Sequence, residues 1–242
     1  MKAIILAAGR GSRMKGLTDD RPKCLVKLRG KPLLEWQLQA LRESGIEEIG
    51  IVTGYRRELL ADSGLVEFHN ERWAETNMVS SLACARAWLM DGPCVVSYSD
   101  IFYATQAVAA LMHCPAALAV TYDCNWLSLW KGRFGDPLLD AETFRLNPDG
   151  TLAEIGNKPR TIAEVQGQYM GLLRIAPDGW HEIERMRSGL SEADRDRMHM
   201  TGTLQQVVQS GRVPIAALPY DLPWGEIDSA DDLALFDRPE NG

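Results

Sequence analysis

A run of apolar residues near the start of the chain, Ala3–Ala7, breaks directly onto Gly9 and Gly11. A segment apolar at every position reads as a strand buried on both faces, which is the habit of parallel sheets. Glycines just beyond such a strand let the backbone turn tightly and bring its N–H groups close to a ligand with no Cβ in the way. Together they call for an α/β chain whose ligand site lies beyond the carboxyl ends of a mostly parallel sheet.

The pattern that follows fits that frame. Pro32 opens a helical stretch with Leu34, Leu38 and Leu41 on one face and Gly45 at its end. Strands are expected at Glu48–Thr53, Cys94–Ser97 and Ala116–Thr121, with a helix over Met78–Met90. After about Asp123 the chain changes character. Phe144–Leu146, Leu152–Ile155 and Gln168–Ile175 read as strands, with Asn147-Pro148-Asp149-Gly150 as a turn. They predict an antiparallel portion inserted beside the main sheet. Helices near Trp180–Arg187 and Leu204–Gln209, a strand at Val213–Leu218 and a helix over Asp231–Phe236 capped by Ser229 complete the reading. Without a repeat, a low-complexity stretch or a linker, residues 1–242 make one domain, divided at about residue 122.

Net charge is −7 and no long basic run occurs, which argues against nucleic acid as the partner but leaves nucleotides open. The five cysteines are scattered with no CxxC pair, so neither a zinc site nor a disulfide framework is expected, and a reducing cytoplasm is the simplest setting. The N-terminal apolar run is too short for a signal peptide. No stretch reaches the roughly 18 apolar residues of a membrane span, so no membrane insertion is expected.

The loop itself reads Leu6-Ala7-Ala8-Gly9-Arg10-Gly11-Ser12-Arg13-Met14, followed by Pro22-Lys23-Cys24-Leu25. Arg13 supplies a forked cation suited to phosphate and Lys23 a mobile point charge. A dinucleotide fingerprint wants glycine where Met14 stands, and a Walker loop wants Gly-Lys-Ser/Thr, which is absent. Gly9-x-Gly11-x-Arg13-Met14 with Pro22-Lys23 instead resembles the signature of the sugar-phosphate and choline-phosphate nucleotidyltransferases, and the resemblance runs from residue 2 to about 236. It implies a Rossmann-like sheet with an added antiparallel portion, a nucleotide-binding part over about 1–122 and an acceptor-binding part over about 123–242. Further, it implies that Arg13 and Lys23 act on the triphosphate, with Leu6, Ala7, Ala8, Gly9, Gly11 and Ser12 around the nucleotide.

Ser97-Tyr98-Ser99-Asp100 follows an apolar strand, where an Asp serves either as a cap or as a ligand. Trp224-Gly225-Glu226-Ile227-Asp228 places Glu226 and Asp228 on one face of an extended segment. By resemblance, Asp100 and Asp228 are metal residues, Glu226 coordinates or orients water, and Ser99 lies beside the nucleotide. Mg²⁺ favours hard oxygens and takes one or two carboxylates together with phosphates and water. Asp231 and Asp232 are expected to be solvated first-turn charges. None of the four histidines stands in a motif for a nucleophile.

Thr76-Asn77-Met78-Val79-Ser80-Ser81 reads as a helix cap and, by resemblance to choline-phosphate cytidylyltransferases, as an approach to a pyrimidine through Asn77 and Ser80. Asn157-Lys158-Pro159 resembles the element whose Lys binds the acceptor phosphate. Aromatics in the second half, Trp126, Trp130 and Tyr169 among them, are candidates to hold a cationic head. Asp136 and Glu142 are candidates to pair with an amine. The motifs lie closer to the cytidylyltransferase branch, with CTP and a phosphocholine, phosphoethanolamine or aminoalkylphosphonate acceptor, than to sugar-1-phosphate nucleotidyltransferases. A silent nucleotide-binding regulatory domain is the other alternative, and a homodimer is left open.

Overall fold

The computed structural model describes residues 1–237; the last five residues of the expected domain, 238–242, lie outside the described residues. Seven strands form the central sheet: β1 Lys2–Ala7, β2 Ile49–Thr53, β3 Val66–His69, β4 Cys94–Tyr98, β5 Leu118–Asp123, β6 Gln168–Ile175 and β7 Ile215–Tyr220. Their order across the sheet is β7-β5-β6-β4-β1-β2-β3. Every neighbouring pair is parallel except the two made by β6, which runs antiparallel to both β4 and β5. The inserted portion therefore does not simply lie beside the sheet as expected. Its longest strand enters the sheet, and only Phe144–Leu146 and Leu152–Ile155 form a separate hairpin. The burial of β6 explains this: Met170 to Ile175 are all buried, which requires cover on both faces.

Alternation along β1 divides the core in two. Ala3, Ile5 and Ala7 face one layer, packed by α1 Leu33–Glu43 through Leu34, Leu38 and Leu41, and by Val108 and Leu111. Ile4 and Leu6 face the other, packed by Val79, Leu82, Leu89, Trp180, Ile183 and Leu204. The expected helix at 78–90 is two pieces, α2 Met78–Ala83 and α3 Arg86–Asp91. The edge strand β3 and the helices α4 Thr105–His113 and α5 Trp126–Phe134 have no counterpart in the sequence reading. The remaining helices are α6 Pro177–Ser188, α7 Glu192–Arg197, α8 Met200–Ser210 and α9 Ala230–Phe236. Among the described residues no helix is long and apolar enough to cross a membrane.

Two irregularities position the site. Beyond β4 the chain makes a short strand, Ile101–Tyr103, which pairs antiparallel with Trp224–Glu226. That pairing draws residue 228 beside residue 100, and the Ile227 N–H donates to the Asp100 carbonyl at 2.9 Å. Within β6 the register slips between Tyr169 and Leu173. Gly171 sits there at φ +77°, where a Cβ would come within 2.8 Å of the Tyr98 ring. Such a bulge re-aims side chains near a site, and Tyr169 lines a cavity just before it.

Candidate active site

The loop after β1 turns at Gly11, whose φ of +69° is left-handed, and then makes a short 3₁₀ helix, Ser12–Thr18. The Thr18 hydroxyl donates to the Gly11 carbonyl at 3.0 Å and closes the turn. Gly11 is needed for a second reason. A Cβ there would lie 3.1 Å from the Cβ and Cδ of Lys23, so a side chain would crowd the stem of the lysine.

Lys23, expected as a mobile point charge, is instead only 7% exposed. Its ammonium donates to Asp100 Oδ2 at 2.7 Å and to Asp228 Oδ1. Burial alone would lower its pKa, but Asp100, Asp228 and Glu226 outweigh that and lift it to about 12. Arg13 reaches the other oxygen of Asp228 at 3.0 Å while remaining largely exposed. One oxygen from each of Asp100, Glu226 and Asp228 lies within 4.8 Å of the others, and Asp100 Oδ1 is buried with no hydrogen-bond partner. Burial, with Asp228 and Asp100 nearby, pushes the Glu226 carboxyl up to about 8. Three converging carboxylates with an orphaned oxygen form a hard donor set, and that chemistry fits a divalent cation such as Mg²⁺.

Two groups missed in the sequence hold these carboxylates in place. The Arg133 guanidinium, with a fully buried side chain, binds Glu226 at 3.2 Å and Asp232 at 2.8 Å. Asp232 is not a solvated charge. It forms a capping box with Ser229, as well as accepting from the Asp228 N–H at 3.1 Å. No sequence spacing links Arg133 to residues 226 and 232; the link is made by α5 packing on α9.

Two cavities meet at this cluster. One, of about 270 Å³, is lined by Leu6, Ala8, Gly9, Gly11, Ser12, Arg13, Lys23, Asn77, Ser99 and Asp100 of the sequence candidates, together with Trp73, Thr76, Met78 and Ser81. Ala7 and Ser80 are not in its wall; the Ser80 hydroxyl donates to the Arg195 carbonyl instead. Asn77 also caps α2, accepting from the Met78 N–H at 2.7 Å. Trp73 was missed because no spacing singles it out. Its position depends on Gly54, where a Cβ would meet the Trp73 Cβ at 2.5 Å and the Ala8 carbonyl at 2.6 Å.

The second cavity, of about 330 Å³, has Arg13, Glu226 and Asp228 at one end and Glu142, Tyr169, Trp130, His199 and Thr201 among its other walls. Lys158 and Trp126 do not line it. The Lys158 ammonium donates to the carbonyls of Leu138 and Leu139, and Trp126 is buried against Trp130. Asp136 is spent on capping a short 3₁₀ turn, where it accepts from the Leu138 N–H at 3.0 Å.

A glycine loop under one cavity, and a carboxylate cluster between that cavity and a second, are the arrangement of a nucleotidyltransferase fold. The chain matches the MobA-like NTP transferase domain over residues 3–147 and belongs to that family. It is 34% identical to the CTP:phosphoglutamine cytidylyltransferase of Campylobacter jejuni, covering 97% of this chain and 98% of that one. To the 2-aminoethylphosphonate cytidylyltransferase of Lancefieldella rimae it is 26% identical, covering 98% and 92%. Its fold is similar to the solved CTP:phosphocholine cytidylyltransferase of Streptococcus pneumoniae, at a TM-score of 0.73 and 21% identity over 98% of this chain and 97% of that one.

Proposed function

We propose that this enzyme transfers CMP from CTP to a small phosphorylated or phosphonate acceptor with a nitrogen-bearing head, releasing pyrophosphate and using Mg²⁺. The observation that carries the reading is the junction of the two cavities at Lys23, Asp100, Asp228 and Arg13. A triphosphate over the glycine loop and an acceptor phosphate from the second cavity would meet there. The cytidylyltransferases to which the chain is similar along nearly its whole length, one for phosphoglutamine and one for 2-aminoethylphosphonate, support CTP as donor and acceptors of those types. A choline-phosphate cytidylyltransferase of Streptococcus pneumoniae, matched over 34% of this chain, supports phosphocholine as a related type.

The reaction needs no nucleophile from the protein. An acceptor phosphate or phosphonate oxygen attacks the α-phosphorus of CTP, a new P–O bond forms, and the bond to pyrophosphate breaks. Two anions must be brought together, so the protein's task is alignment and neutralisation. Asp100, Asp228 and Glu226 are the residues that would hold Mg²⁺, which supplies positive charge to the phosphates when bound. Arg13 lines both cavities and is placed to bind phosphate from either side. Backbone N–H groups around Gly9 and Gly11 cradle the triphosphate, and Lys23 takes up charge as it moves towards pyrophosphate. Asn77, Thr76 and Ala8 line the end expected to receive the base.

Pyrophosphate release, measured for the four NTPs against a panel of these acceptors and glucose-1-phosphate, with and without Mg²⁺, tests the reading. Turnover is expected with CTP and a nitrogen-bearing acceptor, and only with the metal. A tenfold preference for the sugar phosphate, about 1.4 kcal/mol, would move the enzyme to the sugar-phosphate branch.

A further inference from the structure

The second cavity has less free aromatic surface than its composition implies. Trp130 carries the Arg133 guanidinium 5.1 Å from its ring centroid and packs on Trp224 at 6.2 Å and Trp126 at 6.3 Å. Tyr98 and Tyr169 meet edge to face at 5.7 Å. Trp224 is committed through its indole N–H, which donates to Asp123 at 2.9 Å. These rings are occupied with one another and with a protein cation. A methylated ammonium is held by several free faces at once, and that is not what they offer.

Glu142 offers something else. It is half-buried on the wall of the same cavity, and no Lys or Arg of the described residues forms an ion pair with it. The contact to its carboxylate is the Thr201 hydroxyl at 3.4 Å. Burial raises the Glu142 pKa, opposed by the Thr201 hydroxyl and the nearby His199, and a bound N–H donor would add to that opposition. Gln168 fixes the residue in place: its Nε2 donates to the Glu142 carbonyl at 2.7 Å, and its Oε1 accepts from the Glu142 N–H at 3.3 Å. Asp140 and His199 face the same space.

We propose that Glu142 makes the enzyme select acceptors whose far end carries N–H donors, a primary amine or an amide, over those ending in a quaternary ammonium. This rests on the cytidylyl-transfer reading above. A primary ammonium gives the carboxylate a charge-assisted hydrogen bond, roughly twice as strong as a neutral one. A trimethylammonium group has no N–H and keeps its charge behind methyl groups, leaving the half-buried carboxylate with only the long contact from the Thr201 hydroxyl. Sites that read a donor reject analogues lacking it far more strongly than apolar pockets reject an extra methyl.

The experiment is kcat/KM with CTP and Mg²⁺ for phosphoethanolamine, its mono- and dimethyl derivatives, phosphocholine and phosphoglutamine, in wild type and Glu142→Gln, with KM for CTP read alongside. Efficiency is expected to be at least tenfold higher for the best N–H-bearing acceptor than for phosphocholine. In Glu142→Gln that gap should shrink to about threefold or less, with KM for CTP unchanged. Phosphocholine matching or exceeding every N–H-bearing acceptor in wild type would overturn the proposal while leaving cytidylyl transfer intact. So would a gap that survives in Glu142→Gln. The wild-type series decides the question even if the variant does not fold. Absence of pyrophosphate release with every acceptor would overturn the cytidylyl-transfer reading itself, and the proposal with it.

Discussion

Replacing Lys23 by Ala should damage both stability and rate, and the structure says why the two losses differ in origin. The ammonium is buried and bridges Asp100 and Asp228, with Glu226 adding its charge nearby. Removing one partner of a buried pair leaves charges uncompensated and costs about 3–5 kcal/mol. For a chain of 242 residues, each kcal/mol shifts Tm by about 2–4 °C, so a drop of roughly 6–20 °C is expected. Turnover should fall by about 10²–10³, or roughly 3–4 kcal/mol, because the triphosphate loses an electrostatic contact as charge moves to pyrophosphate. Thermal unfolding with and without Mg²⁺ separates the two effects. The ion replaces some of the missing charge, so it should raise the Tm of Lys23→Ala more than that of wild type, while the rate stays low. A variant that melts within about 2 °C of wild type and turns over within about twofold would refute both the buried-bridge energetics and the catalytic role.

Asp100→Asn and Asp228→Asn should each abolish metal-dependent pyrophosphate release, and the double variant should be hardly worse than either; losses that multiply independently would rule out a shared ion. Gly54→Ala should raise KM for CTP by about tenfold with little change in the acceptor's KM, since the new methyl must displace Trp73 from the first cavity; equal KM for CTP would show that Trp73 does not contact the nucleotide. Glu182 accepts from Arg185 at 2.8 and 2.7 Å and from Ser210 at 3.0 Å, which holds its carboxyl down to about 2. Its folded pKa is depressed, so its contribution is present above the ordinary value of 4.5 and lost as pH falls towards 2. Glu182→Gln should therefore flatten the fall in Tm over that window, and an unchanged acid limb would remove Glu182 from the balance.

The parallel sheet was legible because its strands contain unbroken apolar runs, as in Ala3–Ala7 and Leu118–Val120. β3 was not, since its apolar–polar alternation runs for only four residues, Val66–His69, and Val66 and Glu67 are exposed at the edge. α4 lacks a side-chain cap, so nothing in sequence announces its start after Ala104. Within the site, the phosphate loop and the segment at 224–228 could be read locally because each motif is contiguous. Arg133 could not: its value depends on α5 meeting α9, a contact between segments almost a hundred residues apart in sequence. Glu142 was visible only as an acidic residue in an aromatic region. What distinguishes it is the pair of hydrogen bonds its backbone exchanges with Gln168 and, among the described residues, the lack of a Lys or Arg ion-pair partner, both properties of the folded chain. The aromatics misled in the opposite direction, because composition cannot show that Trp126 and Trp130 pack on one another.

The balance of charge in the cluster carries one more step. Lys23, Arg13 and Arg133 face Asp100, Asp228, Asp232 and a Glu226 carboxyl held towards its neutral form, so three cations meet at least three carboxylates. Each cation is already paired, and Asp100 still has an oxygen with no partner. A nucleoside triphosphate and a phosphorylated acceptor would add only negative charge to a site that has none to spare on the positive side. At the short range and low effective dielectric of a half-buried cleft, such repulsion is large, about 4 kcal/mol for unit charges 4 Å apart at an effective dielectric of 20. The donor must therefore bring its own cation, and the carboxylates that look unfavourable for binding phosphate are what would receive it. Lys23 could then leave them for the triphosphate without stranding them. On this reasoning affinity for CTP alone should be weak and should rise steeply with Mg²⁺, whereas an enzyme relying on Arg13 and Lys23 for triphosphate binding would hold CTP equally well without it. Equilibrium binding of CTP across a Mg²⁺ titration, in wild type and in Asp100→Asn, distinguishes the two.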